Sequence, residues 1–236
     1  MVGPLAGCKI AVLVESQYIP QEIMVYREGL AALGAEVQLI ARLWGKAKQT
    51  FVSEVEDSLA ARIAELRARG KTADQILEAL ATFQETLDVE IDIDSFFLPA
   101  GDPRRLELGD YAAVIMSANY TSVRLRHFPP PYDMRTTPAV RLFAEAMENP
   151  RIIKGALCHG LWILTPRPDL LHGRKVICHE VVAADVVNAG AQIVSDPSGV
   201  VVDGDLVTGK TYKEAAGLAM AIKHLILAAR AAASPR

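Results

Sequence analysis

The feature that most constrains the fold is the order of apolar and helical segments in the first 41 residues. Lys9–Glu15 is almost continuously apolar, which is typical of a strand buried on both faces. Helical spacing follows from Pro20 to Leu33 and ends at Gly34, and Glu36–Ala41 is the next apolar run. Strand, helix and strand in this order form a βαβ unit, whose two strands run parallel in one sheet. The opening therefore predicts an α/β fold.

The same alternation continues along the chain. Apolar runs at Ala112–Met116, Ile152–Leu157 and Lys175–Cys178 alternate with helical stretches at about 137–148, 159–164 and 180–189. We therefore predict one domain over residues 1–236, with an open and mostly parallel sheet and helices on both of its faces. Ligands of such sheets bind beyond the carboxyl ends of the strands.

Two segments depart from this alternation. The pair Asp203-Gly204 between short apolar runs predicts a small C-terminal hairpin. A final helix is expected at about 211–230, with Thr211 as its N-cap and Glu214 completing a capping box. Residues 46–87 are charged and rich in Ala, Leu, Glu and Arg, which predicts an inserted helical hairpin. This insertion would serve as a packing or subunit-contact element, or else as a lid.

Composition excludes several classes of protein. The formal net charge of -3 provides no basic surface for a nucleic acid backbone. Three cysteines are too few for a secreted disulfide scaffold, so we expect reduced thiols in a cytoplasmic protein. The first seven residues do not resemble a signal peptide. Because charged and polar residues interrupt the most apolar stretch, 215–233, no membrane association is predicted.

Cys158 stands where the predicted strand Ile152–Leu157 meets a predicted helix. The small residues Ala156 and Gly160 on either side suit a tight strand-turn-helix junction, which would present the thiol to the cleft. A helix N-terminus would also lower the pKa of the thiol. The pattern thus indicates a cysteine nucleophile, and the alternative is a small buried apolar residue.

The segment Ala156-Leu157-Cys158-His159-Gly160 resembles the nucleophile elbow of the DJ-1/ThiJ/PfpI superfamily. Three later segments, 171–176, 185–191 and 201–208, resemble further motifs of that superfamily in the same order. The resemblance implies a flavodoxin-like three-layer sandwich of the class I glutamine amidotransferase-like type. It also implies a homodimer or a higher homo-oligomer.

The resemblance further implies which residues accompany Cys158. A protonated glutamate in the first turn after strand one lies against the cysteine in the family, and Glu22 occupies that place here; Glu15 is the alternative. Two histidines compete as the base. His179 is slightly favoured for proton transfer to the substrate, whereas His159 is expected chiefly to supply its backbone N–H to an oxyanion hole.

The sequence departs from the family pattern at the opposite wall of the oxyanion hole. Ser117-Ala118-Asn119 stands where relatives have Pro-Gly-Gly, so the expected donors are the backbone at Ala118 and Asn119 and the amide of Asn119. Val123 replaces the third acid of peptidase-like members. Both changes argue against peptidase activity.

A long loop at about 117–136 contains three prolines and carries Arg124 and Arg126. Guanidinium groups there would suit a carboxylate or a phosphate on a small substrate, or else acidic groups across a subunit contact.

Cofactors and metals are not expected. Gly204–Thr211 ends in Gly-Lys-Thr but lacks the first glycine of a phosphate-binding loop. His172, His179 and Glu180 do not form a convincing set of metal ligands, because His172 is expected on a distant loop.

The predicted function is a cysteine-dependent enzyme in which the Cys158 thiolate adds to a small electrophilic carbonyl or C–N substrate. The reaction would be that of a hydrolase, a hydratase or a glyoxalase/deglycase-like lyase. The alternatives are a redox-sensing or chaperone-like stress protein, in which an exposed thiol is oxidised, and an intracellular cysteine peptidase.

Overall fold

The computed structural model describes residues 3–54, 56–81, 85–127 and 133–233. Its main sheet has seven strands in the order β10-β11-β7-β6-β1-β2-β5. The strands are β1 (Lys9–Leu13), β2 (Glu36–Ala41), β5 (Ile91–Asp92), β6 (Tyr111–Met116), β7 (Ile153–Leu157), β10 (Val200–Asp203) and β11 (Leu206–Gly209). All neighbours are parallel except β10 and β11, which form the predicted hairpin at the sheet edge.

Helices cover both faces of the sheet. They are α1 (Pro20–Met24, continued by a π-helical turn over Val25–Leu30), α4 (Thr121–Leu125), α5 (Pro138–Glu148), α6 (Pro168–Leu171), α7 (Glu180–Asn188) and α8 (Ala215–Ala233). Short 3₁₀ turns lie at Ile93–Phe97, Leu108–Asp110, Met134–Thr136, Gly160–Ile163 and Tyr212–Glu214. The fold is the flavodoxin-like three-layer sandwich that the sequence predicted.

Each face of the sheet has its own apolar core. Alternate residues of β1 point in opposite directions, so Ala11 and Leu13 pack on one side while Ile10 and Val12 pack on the other. The first core also contains residues of α5 and α7, and the second contains residues of α1 and α8. Burial on both faces explains why the central strands are almost entirely apolar.

The inserted segment differs from its prediction. It contains the expected helices, α2 (Glu56–Ala68) and α3 (Ala73–Ala81), and Thr72 caps the second by accepting a 3.3 Å hydrogen bond from the Gln75 N–H. It also contains two strands that the pattern did not predict, β3 (Gln49–Val52) and β4 (Thr86–Val89), which pair antiparallel. Thr50 and Asp88 are joined by a side-chain hydrogen bond of 2.6 Å. The helices therefore extend from a two-stranded arm.

Two other predictions need correction. Residues 159–164 form no α-helix, because the chain makes only a four-residue 3₁₀ turn, Gly160–Ile163. The apolar run Lys175–Cys178 does not join the main sheet. Only its first two residues form a strand, β8 (Lys175–Val176), which pairs parallel with β9 (Gln192–Ile193) in a separate two-stranded sheet.

The last helix begins at the predicted capping box. Thr211 accepts a hydrogen bond from the Lys213 N–H, and the carboxylate of Glu214 accepts one from the Thr211 N–H. The stretch Tyr212–Ala232 is long and apolar enough to cross a membrane by length and composition alone, which the sequence analysis did not predict. That criterion is weak evidence, since core helices pass it too; Leu218 and Ile222 are fully buried in the core.

Candidate active site

The candidate site lies at the carboxyl ends of β1, β6 and β7. Cys158 follows β7 directly and has φ of +58°, a left-handed conformation that is rare for residues other than glycine. Its N–H donates to the carbonyl of Gly209 at 2.8 Å, which fixes the residue to the neighbouring strand. A Cβ on Gly160 would lie 3.0 Å from the Met116 carbonyl oxygen, so the turn after the cysteine requires a small residue. The sharp junction predicted from the sequence is present.

Three backbone N–H groups interact with the Cys158 sulfur, from Asn119, His159 and Tyr212. Burial nevertheless dominates and raises the pKa of this thiol to about 12, because the side chain is only 6% exposed and the charge of Glu22 adds to the effect. The expected lowering of the pKa by a helix N-terminus is therefore wrong for this conformation. A single 3₁₀ turn follows the cysteine, and its dipole is small.

Glu22 lies in α1 and is fully buried. Burial raises the pKa of its carboxyl group to about 8, although the hydrogen bond from the Ala118 N–H and the nearby Tyr26 hydroxyl oppose the shift. The Ala118 N–H donates to both carboxyl oxygens, at 3.0 and 2.9 Å. A carboxyl group with this pKa is protonated at neutral pH and can donate a hydrogen bond.

The strand end Ser117-Ala118-Asn119 divides its donors between two tasks. Because the Ala118 N–H is bound to Glu22, the backbone N–H that faces the sulfur from this side is that of Asn119. Asn119 also has a positive φ, +62°. Its side-chain amide donates to the Gln17 carbonyl at 2.8 Å and to Glu54 at 2.9 Å, so the amide braces two loops and leaves the oxyanion site to the backbone.

The His159 side chain is 7% exposed, and within the described part of the chain its two buried ring nitrogens make no hydrogen bond of good geometry, although the Asn119 backbone lies near enough to raise the pKa of the ring. Its ring lies among those of Tyr120, Trp162 and His179, at centroid distances of 5.3, 5.3 and 4.9 Å. Burial and the charge of His179 lower the pKa of His159 to about 4. The ring is therefore neutral at physiological pH.

His179 is the N-cap of α7, and its Nδ1 accepts a hydrogen bond from the Val181 N–H at 3.2 Å. Accepting at Nδ1 leaves the proton of the neutral ring on Nε2. The backbone N–H of His179 donates to the Cys158 carbonyl at 3.2 Å, which holds the two segments together. The half-buried His179 ring meets the His159 ring edge to face, with an interplanar angle of 84°.

The remaining predicted residues occupy different positions around the cleft. Glu15 accepts a hydrogen bond from the Ser16 N–H, and burial raises its pKa while Arg124 lowers it. Arg124 is exposed and its Nε donates to Gln17 Oε1 at 3.0 Å. Arg126 points away from the cleft mouth, since one Nη group donates to the Trp162 carbonyl and to Thr165.

The contacts that support the His159 ring were not predicted from the sequence. The indole N–H of Trp162 donates to Asp185 at 2.6 Å, which fixes the ring that packs on His159. Asp185 belongs to the motif at 185–191, but Trp162 is 23 residues away in the sequence, and no local pattern indicates that the two side chains meet. The Pro-rich part of the predicted loop, 128–132, lies outside the described residues. Within the described ranges, no group of three or more His, Cys, Asp and Glu side chains could hold a metal ion.

Known proteins resemble this chain in one sequence segment and in the fold. Residues 129–224 match the family model described as DJ-1/PfpI family. No curated protein matches the sequence.

Solved structures share the fold over nearly the whole chain. A two-domain protein with DJ-1/ThiJ/PfpI-like and ferritin-like domains from Anabaena variabilis is 20% identical, with a TM-score of 0.64. The match covers 91% of this chain and 47% of the Anabaena protein. The chain thus spans about half the length of that protein.

A ThiJ/PfpI domain protein from Brachyspira murdochii is 12% identical, with a TM-score of 0.66 and 94% and 98% of the two chains covered. DJ-1beta from Drosophila melanogaster is 11% identical, with a TM-score of 0.64 and 96% and 97% covered. The family match covers residues 129–224, and the structural matches show that the chain has the fold of these DJ-1-type structures.

Proposed function

We propose that the protein is a cysteine-dependent enzyme that acts on small electrophilic carbonyl or C–N compounds. The Cys158 sulfur adds to the electrophilic carbon, so that a C–S bond forms and the electron pair of the C=O bond moves onto oxygen. The thiol proton passes to a base. With an amide, the adduct then expels the amine and water hydrolyses the thioester; with a 2-oxoaldehyde, a proton shift gives the thioester that water hydrolyses.

The observation that carries the proposal is the set of backbone donors around a residue in a left-handed conformation. N–H groups of Asn119 and His159 reach the sulfur from two different strand ends. Donors fixed in this way can stabilise negative charge on the sulfur and on an oxygen attached to the neighbouring carbon. A left-handed cysteine costs conformational energy, and such strain is concentrated at functional sites.

His179 is the favoured base in this proposal. His159 has a pKa of about 4 and is enclosed by rings, so it is a poor proton acceptor at neutral pH. The half-buried His179 ring lies beside it, and its backbone is bound to that of Cys158. Glu22, protonated at neutral pH, is the second proton carrier, since it can donate a proton to the adduct and recover it later.

Redox sensing is the second candidate function. A thiol with a pKa of about 12 is almost wholly protonated at pH 7, and peroxide oxidises the thiolate. Burial of the thiol therefore favours an enzyme whose base activates the thiol over a sensor that reacts spontaneously. Peptidase activity is less favoured, because Val123, at the position of the third acid, is partly buried against the core.

The test compares two conservative variants. Cys158→Ser is expected to abolish turnover of glyoxal and of small amides, while Cys178→Ser, which changes an equally buried thiol, keeps it. Mass spectrometry after peroxide treatment completes the design. Turnover that survives in Cys158→Ser would refute the enzyme proposal; peroxide-dependent mass gain at Cys158 in a wild-type protein without turnover would favour the sensor.

A further inference from the structure

Arg124 is exposed and has few partners among the described residues. It lies in α4, the short helix that starts two residues after Asn119. Its only side-chain hydrogen bond within the described part of the chain is the 3.0 Å bond from Nε to Gln17 Oε1. Across the same described residues, no carboxylate oxygen lies within 4.0 Å of it, whereas Arg167 and Arg174 each contact two carboxylates.

The loops that hold Arg124 also hold the backbone donors of the candidate site. Gln17 has a φ of +68° and is fixed by accepting the Asn119 amide at its carbonyl. Asn119 in turn directs its backbone N–H at the Cys158 sulfur. Two left-handed residues therefore connect the guanidinium to the reactive atom through a continuous chain of hydrogen bonds. Strain at both positions indicates that this arrangement serves a function.

The charges near Arg124 leave its anion-binding edge available. Glu15 interacts electrostatically with Arg124, but burial raises the pKa of Glu15 and its Oε1 is already bound to the Ser16 N–H; Glu54 accepts a hydrogen bond from the Asn119 amide. With Nε used by Gln17, the two Nη groups of Arg124 make no hydrogen bond to the described residues, and the side chain is exposed. Paired N–H groups in this planar arrangement match the two oxygens of a carboxylate. Arg126, by contrast, is turned toward Trp162 and Thr165.

We propose that Arg124 binds a carboxylate on the substrate, so that the preferred substrates are anionic C–N compounds such as acylated amino acids, whose amine leaves when the Cys158 thioester forms. This inference rests on the proposed function, because it places the electrophilic carbon at Cys158 and the carboxylate at Arg124. Gln17 acts as a positioning residue that orients the guanidinium.

The test uses two alkylating reagents that differ in charge at nearly constant size. Iodoacetate and iodoacetamide both form a C–S bond with the thiolate and release iodide, while the thiol proton passes to base. Mass spectrometry follows the alkylation of Cys158, and the measured quantity is the rate with iodoacetate divided by the rate with iodoacetamide. This ratio is then divided by the same ratio for glutathione. We expect the corrected ratio to be about 10 in the wild type, as one charge-assisted hydrogen-bonded pair would give.

Arg124→Gln should return the corrected ratio to one, and Arg124→Lys should retain part of the preference. Arg141→Gln, which removes a surface arginine of α5, is the matched control and should leave the ratio unchanged. A wild-type ratio near one, or a raised ratio that survives in Arg124→Gln, overturns the role of Arg124 alone. If neither reagent modifies Cys158 up to pH 9, or if both modify Cys178 faster, the proposed function falls and this extension falls with it.

Discussion

The chain contains the dipeptide Cys-His twice, at 158–159 and at 178–179, and the two copies have different environments. Both thiols are buried, and burial raises the pKa of Cys158 to about 12 and that of Cys178 to about 11. Only Cys158 has a positive φ and backbone N–H groups directed at its sulfur. For Cys178, burial alone accounts for the shift.

The two histidine rings also differ, but here it is the second copy that has the more accessible group. The ring that follows the candidate nucleophile is enclosed and neutral, whereas the ring that follows the core thiol is half-buried and caps a helix. One copy thus supplies the candidate nucleophile and the other supplies the candidate base, with the rings 4.9 Å apart. Backbone geometry and packing, more than residue type or burial, therefore distinguish the candidate roles of the two copies.

The largest expected effect is a loss of kcat that should follow substitution of His179 but not of His159. His179→Asn should lower kcat for glyoxal by about 10²–10⁴-fold, the usual contribution of a general base. Asparagine is a good N-cap, so this variant keeps the cap of α7 while it removes the base. The matched variant His159→Asn should change kcat by less than about tenfold, since its ring is neutral and enclosed. A larger loss in His159→Asn would reverse the assignment.

The second prediction concerns Glu22, whose charge affects the pKa of Cys158 but not that of Cys178. The pKa of Glu22 is about 8 in the folded protein against an ordinary 4.5. The stability that this proton provides is complete below pH 4.5 and is lost as the pH rises through about 8. Glu22→Gln stays neutral, so its free energy of unfolding should match the wild type at pH 4.

Above pH 8, Glu22→Gln should be more stable than the wild type by about 2–5 kcal/mol, from a shift of 3.5 pH units at ~1.4 kcal/mol each. Urea unfolding at a series of pH values measures the difference. An advantage that is the same at pH 4 and pH 9 would mean that the glutamine packs better, and that the Glu22 proton is not the cause.

The third prediction compares the residues that follow each dipeptide. Gly160→Ala places a Cβ 3.0 Å from the Met116 carbonyl oxygen and 3.4 Å from the Ala156 Cβ, so it should cost about 1–3 kcal/mol of stability. Glu180→Ala removes an exposed carboxylate from the first turn of α7 and should cost about 0.3–1 kcal/mol. Thermal unfolding of both variants checks the order; equal losses would show that the turn after Cys158 is not tightly packed.

Local patterns explain what could be predicted from the sequence. The apolar runs of the parallel strands, the Asp203-Gly204 hairpin and the capping box at Thr211 all depend on neighbouring residues, and all are present. The left-handed turn at Cys158 is of the same kind, because the small residue Gly160 permits it.

Long-range contacts explain what could not be predicted. The Asn119 amide binds a carbonyl 102 positions away, and β3 pairs with β4 across the whole insertion. The pKa of the Cys158 thiol depends on how deeply the folded chain buries it, which the dipole of a short helical turn does not offset. Residue spacing carries no information on either point.

The smallest expected effect is a change in the alkylation rate of Cys158, measured together with that of Cys178 in the same sample. Glu22 loses its proton through pH 8, and its negative charge then raises the pKa of Cys158. Glu22→Gln should therefore speed iodoacetamide alkylation of Cys158 at pH 9 by several-fold and at most about tenfold, as a pKa change of one unit would give. At pH 6.5 both proteins carry a neutral side chain at this position, so their rates should agree. Cys178 serves as the internal control in the same spectra, because Glu22 does not contribute to its pKa. Equal acceleration of Cys178 would mean that the substitution loosens the fold, and the distinction between the two thiols would then need another cause.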